Sequence, residues 1–127
     1  MNKEMVFLIH PVRNITPEFE DAVRVTVEQL RREGKSVYDP AESTNQNGSS
    51  IEICRQNRNA INEADYVAFM WDGQSQGCLF DLGMAFAMGK KVRAVVGRTP
   101  PMSKHKSFQN LVFEIEEYWQ NEEVQNE

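Results

Sequence analysis

Long apolar runs, cysteine and surplus positive charge are all scarce in this chain of 127 residues. No window reaches the roughly 18 uninterrupted apolar residues that mark a membrane-spanning helix. The N-terminal MNKEMVFLIHPVRN holds an apolar stretch too short for a secretory signal. A cytoplasmic protein with no membrane partner is therefore expected. The two cysteines, Cys54 and Cys78, have no C-x-x-C spacing, which leaves no zinc pattern and no disulfide framework. Both are read as reduced and structural, and no metal is expected. A formal net charge of −5 argues against a general nucleic-acid binder, which would show a basic patch that neutralises phosphates. Any polyanionic partner must be small and locally held.

What is present suits one domain spanning residues 1–127, with 40% hydrophobic residues to supply its core. The apolar period changes along the chain. Met5 to Ile9 is a continuous apolar run before Pro11, as in a strand covered on both faces. Thr16 then reads as an N-cap with Pro17 at the first helical position. Phe19, Ala22, Val23, Val27 and Leu30 follow at helical spacing until Gly34. Ser36 to Asp39 reads as a short strand and AESTNQNGSS as a polar loop. Ile51, Cys54, Arg58 and Ile61 space a second helix to about Ala64, and YVAFMW is a third strand.

The turn DGQSQG leads into a third helix, Cys78 to Met88, closed by Gly89 with Lys90 and Lys91 at its C-terminal end. Val92 to Val96 is a fourth strand. After Thr99-Pro-Pro a final helix, about Phe108 to Trp119, places Leu111, Val112, Ile115 and Trp119 on one face. The tail acids read as a solvated face and NEEVQNE as frayed. Strands alternating with helices imply an α/β fold: a doubly wound (Rossmann/flavodoxin-like) parallel sheet of four to five strands flanked by helices. In such sheets ligands bind at the carboxyl ends of the strands. That edge should collect His10, Pro11, Arg13, Asp39, Trp71, Asp72, Ser75 and the first turns of the third helix. The first turn, HPVRNITP, lacks the Ser/Thr/Gly-rich loop of a flavin-phosphate site, and no G-x-G-x-x-G follows the first strand. No cofactor is implied.

One residue stands out on the third helix. SQGCLFDLGMAFAMGKKV, residues 75–92, reads as a buried helix, yet it carries Asp81. A buried carboxylate needs a partner. Gly77 and Gly83 flank it, and each is unfavourable by about 1 kcal/mol inside a helix, which close approach of a ligand or another backbone would explain. Asp81 fits a ligand site, a partly exposed helix position or an interface contact with Arg58.

At these residues the sequence resembles the nucleoside 2-deoxyribosyltransferase-like family, which includes 2'-deoxynucleoside 5'-monophosphate N-glycosidases. The likeness rests on FLIHPVRN, on NRNAINEADYVAF and above all on S-x-G-x-x-x-D-L-G-x-A-x-A-x-G-K from Ser75 to Lys90. It implies that Asp81 is a nucleophile attacking the anomeric carbon of the sugar and forming a covalent sugar-enzyme ester, as in a retaining glycosidase. The family usually has glutamate at Asp81, a tyrosine at Phe7 and commonly an aspartate at Asn57. His10 is the candidate general acid, since imidazole titrates near neutrality.

Ser75 resembles the serine that the monophosphate hydrolases carry where transferases on free nucleosides tend to have aspartate. With Gly77 at a helix N-terminus it offers a hydroxyl and free N–H groups to an anion. Arg13 resembles an arginine near the phosphate, although pairing with Glu18 or Asp21 is its plain alternative. Asn110, in FQNLVF, resembles an asparagine sent into the neighbouring subunit's site, which implies a dimer or larger homo-oligomer. The expected site is thus catalytic Asp81 and His10, with Phe7, Pro11, Arg13, Asn57, Trp71, Asp72, Ser75, Gly77 and Asn110 binding substrate. Trp71 and Phe80 also fit core packing. Three functions stay open: an N-glycosidase on (deoxy)nucleoside 5'-monophosphates, a deoxyribosyltransferase exchanging bases, and a nucleotide-binding or sensing module without catalysis. The partner in each is a small nucleoside or nucleotide.

Overall fold

The computed structural model describes residues 3–125, with side chains through residue 118. Strands β1 (Met5–Ile9), β2 (Ser36–Tyr38), β3 (Tyr66–Phe69) and β4 (Val92–Ala94) form one sheet in the order β2-β1-β3-β4. All three pairings are parallel, and Phe7 lies opposite both Tyr38 and Val67. The helices among the described residues are α1 (Pro17–Arg32), α2 (Pro40–Ser43), α3 (Ser50–Glu63), α4 (Gln76–Ala87) and α5 (Leu111–Gln125), the last entered through a 3-10 turn at Phe108–Asn110. This is the doubly wound parallel sheet that the alternation of periods predicts, with four strands.

The continuous apolar runs have the cause expected of them, burial on both faces. Along β1, Val6 and Leu8 point toward Ala22, Val23 and Val27 of α1. Phe7 and Ile9 point the other way, toward Ile61 of α3, Leu82 and Ala85 of α4 and Val112 and Ile115 of α5. Each face gains roughly 1.5–3 kcal/mol per large side chain taken from water, so both strand faces are under selection for apolar residues. Along β1 the first polar side chain after this run is therefore His10, just past the strand's carboxyl end.

Local chemistry sets the helix boundaries. The Thr16 hydroxyl accepts the Phe19 N–H at 3.1 Å, Pro17 occupies the first helical position, Glu18 and Glu20 sit in the first turn and Arg31 and Arg32 in the last. Those charges complement the helix dipole. Gly34 follows with φ 88°, a left-handed conformation that glycine adopts without strain. Ser49 caps α3 by accepting the Glu52 N–H at 3.4 Å.

Several elements differ from the sequence expectation. The stretch read as all loop contains α2, because Asp39 caps it at the Ala41 N–H, 2.9 Å away, and Pro40 starts the turn. Strand β3 ends at Phe69, and Met70 and Trp71 instead donate their N–H groups to Ile9 and Arg98. Strand β4 ends at Ala94 rather than Val96. The tail expected to fray is helical to Gln125, while the side chains of Trp119, Glu122 and Glu123 lie outside the described residues. Glu116 is more than a solvated acid, for its Oε1 accepts the Ala94 N–H at 2.8 Å and ties α5 to the sheet edge.

The Thr16 cap offers a direct check. Thr16→Ala removes an acceptor from the first turn of α1 and is expected to lower stability by about 1 kcal/mol, measured as a fall in the urea midpoint at unchanged slope.

Candidate active site

The carboxyl ends of β1, β2 and β3 gather the polar groups that the core excludes. From β1 comes His10, from β2 Tyr38 and Asp39, and from β3 the turn that launches α4. That turn is built by two residues. Asp72 Oδ1 accepts the N–H groups of Gln74 and Ser75, both at 2.9 Å, and Trp71 Nε1 donates to the Ser75 carbonyl at 2.8 Å. Trp71 is buried and Asp72 is engaged with backbone, so both set the direction of α4.

Six residues beyond Ser75, Asp81 is half-buried where α4 packs on α3. Burial pushes its carboxyl up to about 7, against the opposing pull of a hydrogen bond from Asn57 and the charge of His10. Asn57 is itself buried on α3. Its Oδ1 accepts the Thr44 hydroxyl at 2.7 Å, and Thr44 Oγ1 lies 2.7 Å from the Tyr38 hydroxyl. Phe7 is fully buried behind Tyr38, ring stacked on ring at 5.3 Å.

His10 is buried at the end of β1 with both ring nitrogens engaged. Nδ1 is 2.8 Å from the Pro11 carbonyl and Nε2 is 2.6 Å from Asp39 Oδ1. A carbonyl only accepts, so Nδ1 carries a proton and donates. Desolvation raises the Asp39 carboxyl, but the hydrogen bond and charge of His10, the Ala41 N–H and the charge of Arg31 bring it below its ordinary value. Nε2 faces the Asp39 carboxylate, so both ring nitrogens point at oxygen acceptors. A role for His10 as proton donor to a leaving base requires one of these two bonds to be given up.

Arg13, Ser75 and Gly77 come together elsewhere, in an open cleft of about 850 Å³ between the first turns of α3 and α4. Arg13 is exposed and donates to the Gln46 carbonyl at 3.2 Å. Ser75 is the N-cap residue of α4 but makes no side-chain cap bond, its hydroxyl turning instead to the Cys78 thiol, which burial pushes up to about 12. First-turn N–H groups have no partner inside their own helix. Two helix N-termini and a guanidinium around one cleft suit an anion.

Asn110 is not part of this cluster. Its amide accepts the Ser103 N–H at 2.7 Å and donates to the carbonyls of Ser103 and His105 at 3.3 and 3.0 Å, pinning the segment that leads into α5. The glycines flanking Asp81 face open space. A methyl on Gly83 would meet nothing within 4 Å and one on Gly77 only the Ser75 hydroxyl at 3.8 Å, so among the described residues no backbone makes the close approach the sequence suggested. Among the described residues no cluster of three His, Cys, Asp or Glu could hold a metal ion, and no helix is long and apolar enough to cross a membrane.

Sequence reasoning missed Tyr38 and Thr44. Tyr38 was findable as the last residue of a strand whose carboxyl end was already assigned to the site. Thr44 lies in a stretch that read as loop and carried no signal.

Asp81 has a consequence for stability. Its ordinary value is 3.8 and its folded value about 7, so the folded state holds the proton more tightly than the unfolded chain. The resulting stabilisation is complete below about pH 4 and is lost as pH rises to about 7. Asp81→Asn cannot ionise and escapes that loss. Urea denaturation should show the variant no more stable than wild type at about pH 4.5 but more stable at about pH 8, by up to about 4 kcal/mol at ~1.4 kcal/mol per pH unit.

Comparison with known proteins adds an independent line. The family model described as nucleoside 2-deoxyribosyltransferase matches residues 14–122. The structure of the CMP N-glycosidase BcmB of Clostridium botulinum is similar at a TM-score of 0.54 and 25% identity, over 72% of this chain and 67% of that one. The 2-deoxyribosyltransferase of Bacillus psychrosaccharolyticus shares the fold at a TM-score of 0.65 and 17% identity, over 84% of this chain and 89% of that one. No curated protein sequence matches significantly.

Proposed function

The chain belongs to the nucleoside 2-deoxyribosyltransferase family, and on that premise we propose that it hydrolyses the N-glycosidic bond of a nucleoside 5'-monophosphate with Asp81 as nucleophile. One observation carries this reading. A half-buried carboxylate held by Asn57 sits on the same helix as an uncapped, anion-suited N-terminus. From Ser75 to Asp81 the helix rises roughly 9 Å along its axis, so an anion held at the N-terminus lies one and a half turns from the carboxylate.

The chemistry then has two displacements. An ionised Asp81 oxygen attacks C1' of the sugar, the C1'–N bond breaks, and its electron pair leaves with the base, which takes up a proton. Water next attacks the same carbon, losing its proton and freeing the carboxylate. Ser75, the first-turn N–H groups of α4 and Arg13 hold the phosphate, a task for which guanidinium geometry is well suited. The charge of His10 favours the ionised form of Asp81. Because Asp81 titrates near 7, the rate should climb as pH rises through that value.

The similarity to a CMP N-glycosidase supports a phosphorylated substrate, and ribonucleotides belong in any substrate panel beside deoxyribonucleotides. A homo-oligomer is part of the proposal: Phe80 and Phe86 on α4 are 57% and 48% exposed, and Gly83 between them is open, an apolar strip beside the nucleophile.

Chromatographic base release from ribo- and deoxyribonucleoside 5'-monophosphates and the matching nucleosides tests the reading. Release should require the phosphate. Asp81→Asn should lower kcat about a thousandfold or more, and Arg13→Ala should raise KM about tenfold with kcat nearly unchanged. Exchange between two bases on free nucleosides would show a transferase instead. Absence of release from every substrate by folded protein would leave a nucleotide-binding module.

A further inference from the structure

We propose that Tyr38, Thr44 and Asn57 form a hydrogen-bonded relay of one polarity that fixes the orientation of the Asp81 carboxylate, with Thr44 as the positioning residue. The proposal rests on Asp81 being the nucleophile and names three side chains that hold it.

The polarity follows from the inventory of donors and acceptors. An ionised carboxylate only accepts, so Asn57 must turn its NH2 group to Asp81. Its carbonyl oxygen then faces Thr44, whose single hydroxyl proton is committed to it at 2.7 Å. With that proton used, Thr44 Oγ1 accepts the Tyr38 hydroxyl, also at 2.7 Å. Reversing any one bond would set two acceptors or two donors against each other. The amide of Asn57 could otherwise flip, and the relay removes that freedom.

Each member is anchored by a different part of the fold. Tyr38 ends β2 and is stacked on Phe7 of β1, Thr44 is the buried C-cap of α2, and Asn57 is buried on α3. The relay therefore ties the Asp81 rotamer to the β1–β2 pairing. An off-line carboxylate matters here, since a misplacement of about 1 Å can slow a reaction about a hundredfold. The charged or titratable group that acts on Asp81 is His10 from the end of β1, itself paired with Asp39 from the end of β2, while the Cys78 thiol on the same helix feels the charge of Asp81. None of them changes when Thr44 is altered.

Thr44→Val keeps shape and removes the hydroxyl, and Thr44→Ser restores it. The readout is the Asp81 carboxyl titration, followed by NMR on protein labelled with 13C at aspartate carboxyls and assigned through Asp81→Asn, alongside steady-state kinetics. Thr44→Val should move the Asp81 midpoint upward by roughly one pH unit and cut kcat about tenfold with KM little changed. Thr44→Ser should return both to wild type, and Tyr38→Phe should give a smaller displacement in the same direction. An Asp81 midpoint in folded Thr44→Val equal to that of wild type, or one that Thr44→Ser fails to restore, overturns the relay. Wild-type protein that releases no base would instead overturn the glycosidase reading, and the titration would still decide the relay.

Discussion

Everything at the carboxyl edge of this sheet is arranged around one unfavourable act, the withdrawal of the Asp81 carboxylate from water. A helix made of small and apolar residues offers a charge nothing, so the partners come from elsewhere: Asn57 from α3 and His10 from the end of β1. His10 in turn draws on Asp39 at the end of β2. The partners offset the desolvation only in part, since the carboxyl remains well above its ordinary value. A group poised near neutrality in a partly covered position is a familiar property of reacting carboxylates. The fold supplies it by bringing three strand ends to one place.

The fold was legible because periodicity and punctuation agreed. The unbroken apolar runs of β1 and β3 require cover on both sides, and that requirement implies the parallel sheet. Thr16, Pro17 and Gly34 mark the ends of α1 by mechanisms that act within a few residues. Legibility failed where pairing across the chain decides the outcome. Nothing local in Met70 and Trp71 says that they leave the sheet, because their backbone bonds to Ile9 and Arg98 are made at long range.

The site shows the same division. Asp81 was conspicuous as the charge that broke an apolar helix, and Ser75 and Arg13 as an anion-suited pair at strand ends. Tyr38 and Thr44 were not, because a tyrosine in a strand and a threonine in a polar stretch have ordinary explanations. Asn110 has a recognisable position, and within its own chain its amide pins the loop that leads into α5. Phe7 is intermediate. Its lack of a hydroxyl was read as a departure from the family, yet its ring is the platform on which the phenol of Tyr38 stacks, so an aromatic hydroxyl enters the network from the neighbouring strand.

The parallel register has a consequence for how the molecule comes into being. Strands β1 and β3 pair Val6 with Tyr66 and Ile9 with Phe69, closing a loop that contains all of α1, β2, α2 and α3. Such distant pairings form late and slowly, because chain entropy is lost before contacts compensate for it. Asn57 on α3 and Asp81 on α4 flank β3 in sequence, whereas His10, which also acts on Asp81, lies across that closure at the end of β1. In the unfolded chain Asp81 is an ordinary hydrated acid, and its raised carboxyl belongs to the folded state. The raised carboxyl is thus a property of the assembled fold, set jointly by residues from the end of β1, from α3 and from α4.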